Sequence, residues 1–367
     1  NNHPIGSGPY MVKSTKKQSS GIIDRYELKA FKKFALGEPY IEKINLRFYQ
    51  NEEDLIKGLN NKEVTSISSI TPINAKALEE KKYRVESSVL SRVFGLFFNQ
   101  NQNQLFTEKA VIVAIDSAID KNKIVEEVLL GYGVVIDSPI PPNMTKYHSE
   151  HKKAETPFDL QKVKDDLAKA GWKPGADGFL EKTTTENKRQ TTKKLEFSIS
   201  TGNVAELTKA AELIKEDLEI VGIKVEVKTF ETGNLNQDVI RPRKYEALLF
   251  GEMINTESDL FAFWHSSQRK DPGVNVATYT SAKVDKLLEE AFVSQDERVR
   301  ISKYTQFAEE VKKDMPAVFL YSPNFIYLAP KNLKDLKVNF TTSPSSRYLN
   351  AYSWYTETEK VWKIFAD

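Results

Sequence analysis

The chain has no cysteine among its 367 residues. That excludes disulfides, thiolate metal sites and cysteine nucleophiles, and it leaves the compartment open, because exported proteins also do without cysteine. No apolar run reaches the roughly eighteen residues that a membrane-spanning helix needs. Charge of one sign is not in excess either: 53 basic and 51 acidic residues leave a net +2. Composition therefore gives no overall case for nucleic acid or a charged membrane as partner, and the lysines, spread along the sequence, read as solvation. Catalytic signatures are missing as well. There is no Gly-x-Ser-x-Gly elbow, no His-Glu-x-x-His and no nucleotide loop. The acidic pairs Glu52-Glu53, Asp165-Asp166 and Glu289-Glu290 fall on polar helix faces, so no enzyme is expected.

Histidine occurs four times, at His3, His148, His151 and His265. Tyr147-His-Ser-Glu-His151 spaces two histidines as a metal clip would, but it sits beside Pro141-Pro142 in a polar stretch without a third ligand, so neither a metal nor any other cofactor is expected. His265 reads as a core residue. Gly6-Ser-Gly-Pro-Tyr10 lacks the lysine and the spacing of a phosphate loop and reads as a tight turn into a strand.

What is present is a mixed pattern with room for two lobes. Ile44, Leu46 and Phe48 alternate as a half-buried strand, and Asn51 caps a short acidic helix. Val93 to Phe98 is a continuous apolar run, read as a buried strand. Thr107 is expected to cap a helix to about Ile119, with a second helix from about Asn122 to Leu130. Ser138-Pro-Ile-Pro-Pro-Asn143 cannot be regular and is a candidate boundary. Asp159 starts a helix that Gly171 stops, and Thr183 to Lys194 reads as an exposed hairpin. The strand from Leu195, the helix from Val204 to Val221 and the strand from Ile223 to Phe230 form a βαβ unit. Tyr245 to Phe250 is a further apolar run, Val284 to Phe292 and Ser302 to Lys313 are helical, and Pro316 to Leu328 reads as a strand pair. Aromatic residues crowd the tail, which is expected to be packed.

Several stretches together resemble the extracytoplasmic solute-binding proteins of peptide ABC importers, the oligopeptide- and dipeptide-binding type of family 5. They are Pro4-Ile-Gly-Ser-Gly-Pro-Tyr10, Gly37-Glu-Pro-Tyr-Ile-Glu-Lys-Ile44, Phe97-Phe-Asn99, Ala114-Ile-Asp-Ser-Ala-Ile-Asp-Lys121, Asp159 to Trp172, Phe263-Trp-His-Ser-Ser-Gln268 with Asn275 and Tyr279, and Arg347 to Tyr355. Each motif is weak alone; their order along nearly the whole chain is specific. Two departures stand out. Ile112 replaces the arginine of the family helix. The stretch after Phe250 reads Gly251-Glu-Met-Ile-Asn255, with Asn255 where members carry the aspartate that pairs with a peptide α-ammonium. Glu252, Glu257 and Asp259 are alternative sources of that charge.

The resemblance implies an α/β protein of the two-lobed type II periplasmic binding architecture. Because the Gly-Pro-Tyr element lies well inside family members, the chain is expected to be a piece of a longer protein with the first lobe incomplete. Lobe I would hold residues 1–143 and 338–367, lobe II residues 144–337, with hinges near Pro142 to Tyr147 and Lys334 to Asn339. The implied function is capture of peptides between lobes by hinge closure and delivery to the permease subunits of an ABC importer. It implies a monomer, extracytoplasmic, periplasmic or at the cell surface, possibly a lipoprotein anchored through a preceding segment, with no nucleic acid partner. The expected ligand-binding residues are Gly251, Glu252, Met253, Ile254, Asn255, Trp264 and Asn275. A nickel chelate or an oligosaccharide on the same fold, or a non-transport interaction fragment, are the alternatives.

Overall fold

Two apolar strands, Val93 to Phe98 and Ala247 to Leu249, form the centre of the core because both faces of their sheet are covered by helices. The computed structural model describes residues 6–80, 83–147, 158–186, 189–338 and 343–356. Contacts divide the chain into residues 1–88 with 324–367, and residues 89–323. The division falls at Ser88/Val89 and Pro323/Asn324, whereas the sequence places the crossings near 143 and 338. The physical reason is pairing: the strand from Arg92 is hydrogen-bonded on both sides to strands of the 89–323 unit.

The main sheet of that unit is built from β1 (Arg92–Phe98), β2 (Gly133–Val135), β3 (Glu196–Gly202), β4 (Lys224–Phe230), β5 (Ala247–Met253) and the first part of β6 (Ala317–Ala329), whose residues from Asn324 on belong to the other unit. The sheet order is β4-β3-β5-β1-β6, with β2 on β6. β3 runs parallel to β4 and β5, and β1 is antiparallel to β5 and β6. Helices α1 (Lys109–Ala118), α2 (Leu160–Lys169) and α3 (Ala205–Ile220) bury Val111, Ile115, Val163, Leu167 and Ile214 on one face of the sheet. Helices α4 (Glu257–Trp264), α5 (Ala282–Val293) and α6 (Glu297–Asp314) bury Trp264, Leu288 and Phe307 on the other. The βαβ unit β3-α3-β4 is as the sequence reads it. Gly171 and Gly222 end their helices at φ of +92° and +86°, a conformation that costs glycine little and other residues more.

Several boundaries differ from the sequence reading. Thr107 ends a 3-10 turn, and α1 begins two residues later with Glu108 at its N-cap and no side-chain cap. The second helix is Lys121–Glu127, capped by Asp120, whose carboxylate accepts from the Lys123 amide at 2.9 Å. α6 starts five residues earlier than expected because the Asp296 carboxylate caps it at the Arg298 amide, 2.8 Å. The expected strand pair at 316–328 is one thirteen-residue strand. Proline lacks an amide hydrogen and usually breaks a central strand. Pro323 is accommodated beyond the stretch that pairs with β1, which ends at Tyr321. The expected hairpin is present as Leu180–Glu186 paired with Arg189–Lys194.

The 1–88 and 324–367 unit carries a three-stranded antiparallel meander, Tyr10–Lys17, Ile23–Ala30 and Lys43–Arg47. Residues 7–9 bend into the first strand, and the Tyr10 hydroxyl donates to the Ile41 carbonyl at 2.9 Å, so the Gly-Ser-Gly-Pro-Tyr stretch is a structural turn. Asn51 caps the helix Glu52–Asn60 through the Asp54 amide at 2.8 Å. In the tail, Trp354 is buried and donates to Asn350 at 3.0 Å; Trp362 lies outside the described residues.

Candidate functional site

β5 alternates between two cores. Ala247 and Leu249 enter the cluster with α1–α3, and Leu248 enters the cluster with α4–α6. Gly251 is required by close approach: a Cβ there would meet the Phe94 ring at 2.6 Å. Glu252 is buried at 1 % exposure, and neither of its carboxyl oxygens has a hydrogen-bond partner among the described residues. Burial pushes its pKa well above the ordinary carboxylate range and so favours the protonated, neutral form. The Trp264 indole N–H lowers the pKa somewhat from beyond full hydrogen-bond geometry and has no partner among the described residues.

Beyond β5 the chain turns into α4. Thr256 and Asp259 form a capping box, and the Asp259 carboxylate accepts from the amides of Asn255 and Thr256, both at 2.9 Å. Asp259 therefore fixes the backbone on which Asn255 stands. A cleft of about 630 Å³ opens here, at the carboxyl end of β5. One wall is 143–147, a second is 255–258, and the third comes from the end of α5 and the first turns of α6, with Phe292, Arg300 and Tyr304. In open α/β sheets this is the edge at which ligands bind.

Glu257 is the carboxylate that lines the cleft. It accepts from Lys146 Nζ at 2.7 Å, from Arg300 Nε at 3.3 Å and from the Tyr147 hydroxyl. Burial alone would raise its pKa; the hydrogen bonds from Lys146 and Tyr147 and the nearby cations outweigh that and hold it below the usual range. The Lys146 ammonium is raised, chiefly by its bond to Glu257, and the Tyr147 phenol is raised by burial first and Glu257 second. Burial pushes Tyr304, on the floor, up to about 12. Asn143 donates to Ser91 Oγ, while its own Oδ1 is buried with no partner among the described residues. A buried acceptor left unmet costs about 1–3 kcal/mol, and Asn143 Oδ1 lies behind the wall, whereas the exposed Asn255 offers its side-chain amide to the cleft.

The seven expected site residues do not form one surface. Asn255 lines the cleft, and Met253 is exposed beside it. Ile254 and Trp264 are in the α4–α6 core at 0 and 1 % exposure. Asn275 is fully buried; its Nδ2 donates to the carbonyls of Trp264, His265 and Tyr279 and its Oδ1 accepts from the Tyr279 amide. Its amide thus fixes the loop after α4. Lys146, Tyr147 and Arg300 escaped the sequence reading. Arg300 follows once α6 is started at its Asp296 cap; Lys146 and Tyr147 carry no local signal. His265 is 8 % exposed, stacks on Phe261 and contacts Ser267 and Glu289, as a core histidine should. His3, His148 and His151 lie outside the described residues, and among the described residues no three metal-ligating side chains cluster.

The sequence profile described as bacterial extracellular solute-binding proteins, family 5 Middle, matches residues 1–297. The chain belongs to this family of solute-binding proteins. Its members are extracellular, and no helix among the described residues is long and apolar enough to cross a membrane. The oligopeptide-binding protein AppA of Bacillus subtilis is 27 % identical over 96 % of this chain and 62 % of that protein's length. The structure of that AppA in complex with a nonapeptide superposes with a TM-score of 0.67 at 25 % identity, covering 97 % of this chain and 67 % of that one. The nickel-binding protein NikA of Staphylococcus aureus is 23 % identical over 96 % of this chain and 65 % of its own length. The fold is thus that of the type II periplasmic binding proteins, and this family 5 chain spans somewhat under two thirds of the length of these curated relatives.

Proposed function

We propose that the chain is the ligand-binding part of a receptor for an ABC importer that takes up peptides, and that the cleft at the carboxyl end of β5 holds part of the ligand. The observation that carries this reading is the cleft itself, with the exposed Asn255 on its wall. A peptide has an amide hydrogen at nearly every residue, and the Asn255 side-chain oxygen can accept from one. The apolar floor and the exposed Phe292 offer a surface that accepts varied side chains. Glu252, Ile254, Trp264 and Asn275 act from behind, by packing the strand end and the loop on which Asn255 stands. The receptor works as an extracytoplasmic monomer, tethered by a lipid anchor, and hands its ligand to the permease subunits. AppA's name and its nonapeptide complex favour peptides; the similarity to NikA keeps a nickel chelate as the second reading.

Native mass spectrometry of material that copurifies with the protein tests this. Released peptides are the expected result. Nickel with a small chelator would replace the reading by the second one, and a sugar would contradict both.

A further inference from the structure

Lysines that are dispersed in the sequence gather on one face of the three-stranded meander. Strand register puts Lys16 opposite Arg25 and Arg25 opposite Arg47. Two pairs along, it puts Met11 opposite Lys29 and Lys29 opposite Lys43. Lys13 sits at the bulge between the two rows. All of these side chains are exposed, whereas the alternate positions Tyr26, Leu28, Ile44 and Leu46 are half-buried on the other face. Six cations thus surround one carboxylate, Glu27, in a face of net +5 within a chain of net +2, so the remainder sums to −3. Lys13 binds Glu27 at 2.8 Å and Ser14 donates to it at 2.9 Å. Hydrogen bonds from these two, and the charges of Lys13 and Lys43, hold Glu27 below the ordinary carboxylate range.

Like charges directly opposite across strands destabilise a sheet. Here the sequence accepts that cost three abreast in one row and two abreast in another. Arg47 pairs with Glu63, but Lys16, Arg25, Lys29 and Lys43 have no ion pair among the described residues. Strand spacing makes each row about 10 Å wide and sets the rows about 13 Å apart. The donors of the array do not converge on a point, as a site for a single phosphate would require, and the one ring beside it, Tyr49, is half-buried with the Arg47 guanidinium over its face, 5.6 Å from the centroid, which leaves no row of open rings for stacked bases. Exposed apolar side chains accompany it, Met11 in the second row and Ile22 in the turn after Lys17.

We propose that this face docks on the anionic surface of a phospholipid bilayer. A surface of headgroup phosphates is the partner that matches cations spread over a sheet face, and shallow insertion of the exposed Met11 and Ile22 would supplement the charge. The proposal stands apart from the peptide reading, since it uses neither the cleft nor its residues.

The test is cosedimentation of the whole chain with vesicles of phosphatidylcholine, with and without phosphatidylglycerol. Binding should require phosphatidylglycerol and weaken as salt is added. The triple variant K16Q/R25Q/K29Q should bind about a hundredfold more weakly, with a Tm equal to or above that of the parent, because like-charge neighbours have been removed. A matched variant on exposed helix positions, K162Q/K169Q/K286Q, should bind as the parent does. Absence of phosphatidylglycerol-dependent binding, an unaffected triple variant, or equal loss in the matched variant would overturn the proposal. So would capture of the protein by a soluble nucleic acid or polyphosphate but not by vesicles.

Discussion

Glu252 and Glu257 are five residues apart and meet opposite environments. Glu252, inside β5, points into a core where its oxygens have no hydrogen-bond partner among the described residues, and burial favours its protonated form. Glu257, in the first turn of α4, has Lys146, Arg300 and Tyr147 around it and stays ionised. The difference shows where the end of β5 stops being scaffold and becomes site. Glu252 and Ile254 are spent on packing, with Met253 between them exposed; from Asn255 onward the side chains face a cleft and polar partners.

The largest effect should come from the scaffold. Trp264 packs on Phe97, Phe307 and Phe319, and Trp264→Ala should lower unfolding stability by about 3–5 kcal/mol in denaturant titrations. Glu252→Leu should sharpen the contrast from the same side by raising stability about 1–2 kcal/mol at neutral pH, since it removes unmet polar atoms from the core. The pH dependence follows from the sign of the shift. The folded state keeps a proton that the unfolded state releases above about pH 4.3, so Glu252 makes the parent less stable as pH rises, and the Leu variant should lose that slope. Glu257 works in the other direction. Its folded pKa is lowered, so its contribution is present above the ordinary carboxylate range and fades as pH falls through the folded value. Glu257→Gln should cost about 1 kcal/mol at neutral pH, because the ion pairs are partly exposed, and should flatten the acid limb of the stability curve. Asn255→Ala should change stability by less than about 0.5 kcal/mol.

The elements around the site were largely legible in sequence. Apolar periodicity in α1–α3, glycines at 171 and 222 and the alternation of β3 and β4 are local signals, and they place the sheet. The wall residues were legible only where the chain itself is continuous with β5, at Asn255 and Glu257. The cleft is assembled from 143–147, 255–258 and 291–304, and no period or motif links those segments. Trp264 and Asn275 lie in a stretch that matches the family motif, and motif position alone does not tell a packed residue from a contacting one. Glu252 faces the core because strand alternation sets it on the side of Leu248, and the run Gly251 to Asn255 hides that alternation. The cationic face escaped for the same kind of reason: cross-strand register, not sequence spacing, brings Lys16, Arg25 and Arg47 into one row.

The most direct test of the account is calorimetric titration of a copurified peptide into the parent and into Asn255→Ala. Loss of a hydrogen bond accepted from a peptide amide, about 0.5–1.5 kcal/mol, should weaken binding about two- to tenfold, with the unfolding curve of the variant unchanged. Equal affinity of the two proteins for every peptide tested would contradict the placement of the ligand at the carboxyl end of β5.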